Sequence, residues 1–179
     1  ALLQVPRNKL SLVILSGLLG SFFPAYLFCI AETRIDSSLA GILNALTPLF
    51  TILVGVSFFQ LQANARKIIG VAIGFIGLYM LVSPNGNLHF QNFSYILLVL
   101  AATFFYGINV NMVGRHMQGV GSLNIASLAF VFLIVPTLII LYINGYFSLP
   151  LGNRTVLMST LASAVLGIMG TAVASILFY

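Results

Sequence analysis

The stretch from Leu39 to Val82 limits this chain more than any other part of it. It reads L-A-G-I-L-N-A-L-T-P-L-F-T-I-L-V-G-V-S-F-F, then a short polar break with Arg66 and Lys67, then I-I-G-V-A-I-G-F-I-G-L-Y-M-L-V. Each apolar run is long enough to cross, or nearly cross, a hydrocarbon layer of about 30 Å. Neither run carries the polar face that a helix packed on a water-soluble core must show. The stretch is therefore expected to be a membrane hairpin, with a polar notch at Asn44, Thr47 and Pro48.

Composition extends that reading to the whole chain. Hydrophobic residues make up 60% and charged residues 5%, against about 25% charged in ordinary soluble domains, so a water-facing surface cannot be built. The net charge of +5 comes from seven basic residues placed singly or in pairs between apolar runs. That placement signals topology and excludes nucleic acid as a partner. Cys29 is the only cysteine, so neither a disulfide framework nor a thiolate metal cluster is expected. No cofactor or metal is expected either, because His89 and His116 lack a second ligand at helical spacing. No H-E-x-x-H, intramembrane aspartate pair or G-x-S-x-G appears, so no enzyme is expected.

Six uncharged spans can be placed, making the fold class all-α integral membrane with six transmembrane helices. They run over about 10–30, 39–59, 68–83, 95–113, 123–143 and from just after Arg154 onward. The turns between them include E-T-R-I-D after span one and S-P-N-G-N after span three. If the spans alternate, Arg7, Lys9, Arg66, Lys67 and Arg115 share one side, leaving Arg34 and Arg154 on the other. The positive-inside rule makes the first side cytoplasmic. The chain begins without methionine and ends within an apolar run, as an internal piece of a longer protein would. An internal echo points the same way, with chance similarity of short glycine-rich runs as the alternative: S-G-L-L-G-S at 16–21 resembles L-G-I-M-G-T at 166–171, and Leu27–Phe28 answer Leu177–Phe178. Five spans separate the copies, so they insert with opposite orientation, as in the inverted repeats of many secondary transporters. A parent of two five-helix repeats is expected. Residues 1–83 would hold the last three helices of the first repeat, and 84–179 the first three of the second.

In order, A-E-T-R-I-D-S-S-L-A-G-I-L-N-A-L-T-P-L-F-T, the basic loop and the glycine-spaced third span resemble the EamA family of the drug/metabolite transporter superfamily. A-A-T-F-F-Y-G-I-N-V-N-M-V-G-R resembles the opening helix of that family's second repeat, and L-G-I-M-G-T-A-V-A-S-I-L-F-Y its eighth helix. The resemblance implies a ten-helix, 5+5 inverted-repeat fold, of which this chain is a fragment. It also implies a multi-pass permease of the bacterial inner membrane. The substrate would be a small neutral or zwitterionic, amino-acid-like metabolite, moved outward by alternating access. Partners would be that solute, the lipid bilayer and the missing helices of the same polypeptide, with a homodimer possible. One departure is plain: Gln60 and Gln62 stand where the family often has a glutamate, so no role for that acid carries over.

Candidate site residues follow from polar groups inside apolar spans. Pro48 has no N–H and its ring clashes with the carbonyl of Asn44, so that carbonyl is freed beside the Asn44 amide. Unsatisfied polar groups cost several kcal/mol each in lipid, so Asn44, Thr47 and Pro48 must face protein or water. The plain alternative is a kink whose amide and hydroxyl bond a neighbouring helix. Pro24 should free the Gly20 carbonyl near Tyr26, and a packing kink accounts for it equally well. Tyr106 and Asn109 are three apart and share a helix face, whereas Asn111 points elsewhere and reads as interfacial. The resemblance favours Tyr106 and Asn109, because the family lines its cavity with helices equivalent to spans one, two, four and six. Thr171 and Ser175, at i and i+4 on span six, are weaker candidates. Gly70, Gly74 and Gly77 read as a packing ridge and Pro136 as a plain kink. No charged side chain lies inside a span, which speaks against anion exchange and carboxylate-based proton coupling in this part of the protein. A non-transporting membrane scaffold or assembly subunit is the alternative function. It predicts that Asn44→Leu and Tyr106→Phe are silent.

Overall fold

The computed structural model describes residues 5–62, 64–82, 90–150 and 152–173. Among these every regular element is helical. The helices are α1 (Leu10–Gly17), α2 (Phe23–Ala31), α3 (Ser37–Asn44), α4 (Thr47–Phe59), α5 (Ala65–Val82), α6 (Phe90–His116), α7 (Ser122–Ile143) and α8 (Arg154–Gly167). A π-turn, Leu18–Phe22, fuses α1 to α2, and α3 leads into α4 across two residues. Among the described residues four stretches are long and apolar enough to cross a membrane: Arg7–Ala31, Ser37–Phe59, Phe93–His116 and Ser122–Ile143. α5 and α8 occupy the positions expected of the third and sixth spans. The 83/84 repeat boundary, the S-P-N-G-N turn and His89 lie outside the described residues.

The chain divides into two compact units. In the unit of residues 14–118, α6 is the central helix, packed by α2, α3 and α4. One cluster joins Ala31, Ile35, Ala40 and Leu43 to Ile96 and Val99 of α6. Ala31 and Ala40 are fully buried there, so the small side chains bring the helices close. α4 crosses α6 at Gly107. A Cβ on that glycine would lie 3.0 Å from the carbonyl carbon and oxygen of Phe50 and 3.1 Å from the Thr51 nitrogen. Among the described residues the expected glycine ridge on α5 engages at Gly74, where a Cβ would come within 3.1 Å of Leu49, while a Cβ at Gly70 or Gly77 meets nothing within 4 Å.

The second unit, residues 1–13 and 119–179, contains α7 and α8. Ile134, Val135, Ile139 and Ile143 of α7 and Leu161, Val165 and Leu166 of α8 are exposed, a surface that lipid covers without cost. Pro136 lies inside α7 and leaves it continuous, so the local deformation is a kink at most, as read from the sequence.

At the end of α4, Gln60 takes a left-handed conformation (φ 54°), and the Leu61 N–H bonds the Gly55 carbonyl at 3.0 Å. This closure normally uses glycine. Arg115 of α6 donates to the Phe59 carbonyl at 2.6 Å, capping the same end. Gln60→Gly is therefore expected to stabilise the protein by about 1 kcal/mol. Thermal unfolding of the detergent-solubilised protein would register this as a raised midpoint.

Candidate functional site

The second span breaks at Pro48 where the sequence suggested a bend. The Ala45 N–H still reaches the Gly41 carbonyl, and the Leu46 N–H reaches back only to Leu43. Pro48 then sits in the first turn of α4, where its missing N–H costs nothing. Asn44's carbonyl loses the donor that residue 48 would have supplied. The Thr47 hydroxyl replaces it, donating to that carbonyl at 2.7 Å and standing 3.2 Å from Asn44 Oδ1. Asn44 and Pro48 remain exposed and Thr47 half-buried.

A polar ladder continues from this break to α6. The Thr51 hydroxyl donates to the Thr47 carbonyl at 2.8 Å. The Thr51 carbonyl in turn accepts from Asn111 Nδ2 at 2.8 Å, and the same nitrogen donates to the Gly107 carbonyl at 2.7 Å. Asn111 is thus a buried clamp between α4 and α6, not the interfacial residue its proximity to Arg115 suggested. Its Oδ1 lies 2.7 Å from where a Gly55 Cβ would stand, so Gly55 leaves room for the amide. Sequence reasoning also passed over Thr51. Its signal was the spacing of four from Thr47, which lets a threonine hydroxyl bond back along its own helix.

The first span deals with its proline differently. Within the π-turn the Phe23 N–H bonds the Leu18 carbonyl, so the ladder slips by one residue just ahead of Pro24. The helix widens there and stays intact, a feature common at functional sites. Asn109 of α6 packs directly on Gly20 in this widened turn; a Cβ at Gly20 would overlap the Asn109 amide nitrogen. Asn109 Oδ1 is buried and has no hydrogen-bond partner among the described residues. Tyr106 is half-buried one turn away, and Tyr26 is exposed on α2.

Two groupings result. Asn44, Thr47 and Pro48 form one with Thr51 and Asn111, and Asn109 forms another with Gly20. Thr171 falls within a second π-turn, Ile168–Val173, and Ser175 lies outside the described residues. The two π-turns begin 150 residues apart, at Leu18 and Ile168, matching the offset of the repeated glycine motif.

Residues 2–83 are similar to the EamA-like transporter family. A similar curated protein is named "Probable amino-acid metabolite efflux pump", from Salmonella typhimurium. It is 29% identical over 100 residues, which cover 55% of this chain. The chain spans only 33% of that relative's length. No solved structure matches the chain significantly.

Proposed function

We infer that this chain is the middle of a ten-helix inverted-repeat permease in a bacterial inner membrane. It exports a small neutral or zwitterionic, amino-acid-like metabolite by alternating access. Residues 1–83 supply the last three helices of the first repeat, and 84–179 the first three of the second. The paired π-turns support this division, because the same local deformation recurs at the repeat offset. Five of the seven basic residues fall on the cytoplasmic side of this topology. The name of the Salmonella relative supports the direction and the substrate class.

One observation carries the site: Asn109 Oδ1, a buried acceptor with no donor among the described residues. Such an atom is costly in a low-dielectric interior and invites a donor from a ligand. A solute ammonium or amide N–H would satisfy it. Tyr106, one turn away, Tyr26 and the exposed amide at the Asn44–Pro48 break would add polar contacts. Rocking of the two repeats would open this site to each side in turn. α5 serves as scaffold.

Thiol accessibility tests the reading. Cysteines placed at Asn44 and Tyr106 in a Cys29→Ser full-length background are expected to react with a membrane-impermeant thiol reagent. The reacting side should switch when saturating L-threonine is added. Resistance at both positions in every state removes them from a solute pathway.

A further inference from the structure

An open recess of about 250 Å³ lies wholly within the second unit, where the 3₁₀ turn Tyr146–Ser148 packs beside the first turns of α8 and Thr155, Ser159 and Ser163 are exposed. Tyr146, Thr155, Ser159, Thr160 and Ser163 bring five hydroxyls to it, and Leu149 and Val156 supply apolar wall. No ionisable group other than the Tyr146 phenol is among these seven residues, so the recess has no means of selecting by charge.

The local structure is organised around the recess. Asn153 caps α8 by accepting from the Thr155 N–H at 2.9 Å, which fixes where the helix starts. Tyr146 OH donates to Thr160 Oγ1 at 3.2 Å, holding the phenol against the helix. The Ser163 hydroxyl donates to the Ser159 carbonyl at 2.9 Å, which settles its own proton and leaves its lone pairs available. Thr155, Ser159 and Ser163 recur every four residues, so they rise along one side of α8. A row of hydroxyls is expensive against lipid and cheap against water or a polar solute.

We propose that this recess is a second solute site, taking the uncharged hydroxyl- or amide-bearing end of a small metabolite at the end of α7 and α8 away from Gly121. Its volume falls just below the usual range for pockets holding drug-sized ligands. A metabolite the size of an amino acid fits, and a bulky amphiphile does not. The aromatic ring packs on the carbon skeleton while the hydroxyls of Thr155 and Ser159 bond its polar groups. The site rests on the permease reading only for the identity of its solute, since L-threonine is chosen as probe on that ground.

The test uses the full-length protein, Cys29→Ser, with Val156→Cys and Leu149→Cys on the apolar wall as two separate reporters. An impermeant methanethiosulfonate is applied with and without L-threonine, in the absence of any solute gradient. L-Threonine is expected to slow modification saturably, by about tenfold at a concentration about ten times its Kd. Adding Tyr146→Phe, which removes one neutral hydrogen bond, should weaken that protection about three- to tenfold. A modification rate that L-threonine leaves unchanged at both reporters overturns the site, as does protection that Tyr146→Phe leaves intact. Protection without transport of L-threonine keeps the recess and removes the permease reading. Transport without protection does the reverse.

Discussion

Gly107→Leu is expected to abolish accumulation of folded protein, whereas Gly114→Leu on the same helix leaves it close to wild type. The contrast follows from what each new side chain meets. At Gly107 the first added carbon already lies 3.0 Å from the Phe50 carbonyl group, which is backbone and cannot rotate away. At Gly114 nothing lies within 4 Å. Overpacking of this kind costs about 1–3 kcal/mol for small additions and more for a whole isobutyl group. That is a large part of a typical folding free energy of about 5–15 kcal/mol. Alanine gives the finer discrimination, because glycine to alanine in a helix ordinarily gains about 1 kcal/mol. Gly114→Ala should show that gain and Gly107→Ala should reverse its sign. Size-exclusion profiles and melting midpoints of the solubilised variants read both effects. Equal behaviour at the two positions would mean that α4 and α6 do not cross at Gly107.

The helix ends were legible because charge and turn chemistry mark them. Arg66 and Lys67 open α5, Arg115 and His116 close α6, and Asn153 caps α8. Pro48 and Pro24 were legible as disturbances but not as the form each disturbance takes. A break at one and a widened turn at the other depend on whether a hydroxyl or a slipped ladder meets the lost hydrogen bond. Thr47 supplies the hydroxyl in the first case, and the slip behind Phe23 precedes the second. Asn111 was misplaced for a different reason. Helical spacing relates it correctly to Tyr106 and Asn109, yet its partner is the Thr51 carbonyl, 60 residues away. No local period encodes that contact. The Tyr146–Thr160 pairing escapes for the same reason, since it joins a turn to a helix across the Asn153 cap.

Two asparagines two residues apart on α6 should then respond in opposite ways to the same substitution. Asn111→Leu removes both bonds that Nδ2 makes, to Thr51 and to Gly107. Both acceptors are carbonyls in a helix ladder, so neither is stranded. The loss is that of two side-chain bonds in a membrane protein, about 1–2 kcal/mol in total. Asn109→Leu is nearly isosteric beside Gly20 and deletes an acceptor that has no donor among the described residues. Relief of that burial makes the variant as stable as the parent, or more stable by about 1 kcal/mol. Function should divide the other way. A hydrogen bond from a solute ammonium to Asn109 Oδ1 is charge-assisted, and its loss costs about 1.5–3 kcal/mol. Half-saturation for the transported solute should rise by one to two orders of magnitude in Asn109→Leu. Asn111→Leu should transport normally once corrected for the fraction folded. Counterflow in proteoliposomes and thermal unfolding, run on the same preparations of the full-length protein, supply both readouts. If Asn109→Leu loses stability while each folded molecule transports at the parental rate, Asn109 is a packing residue and the solute binds elsewhere.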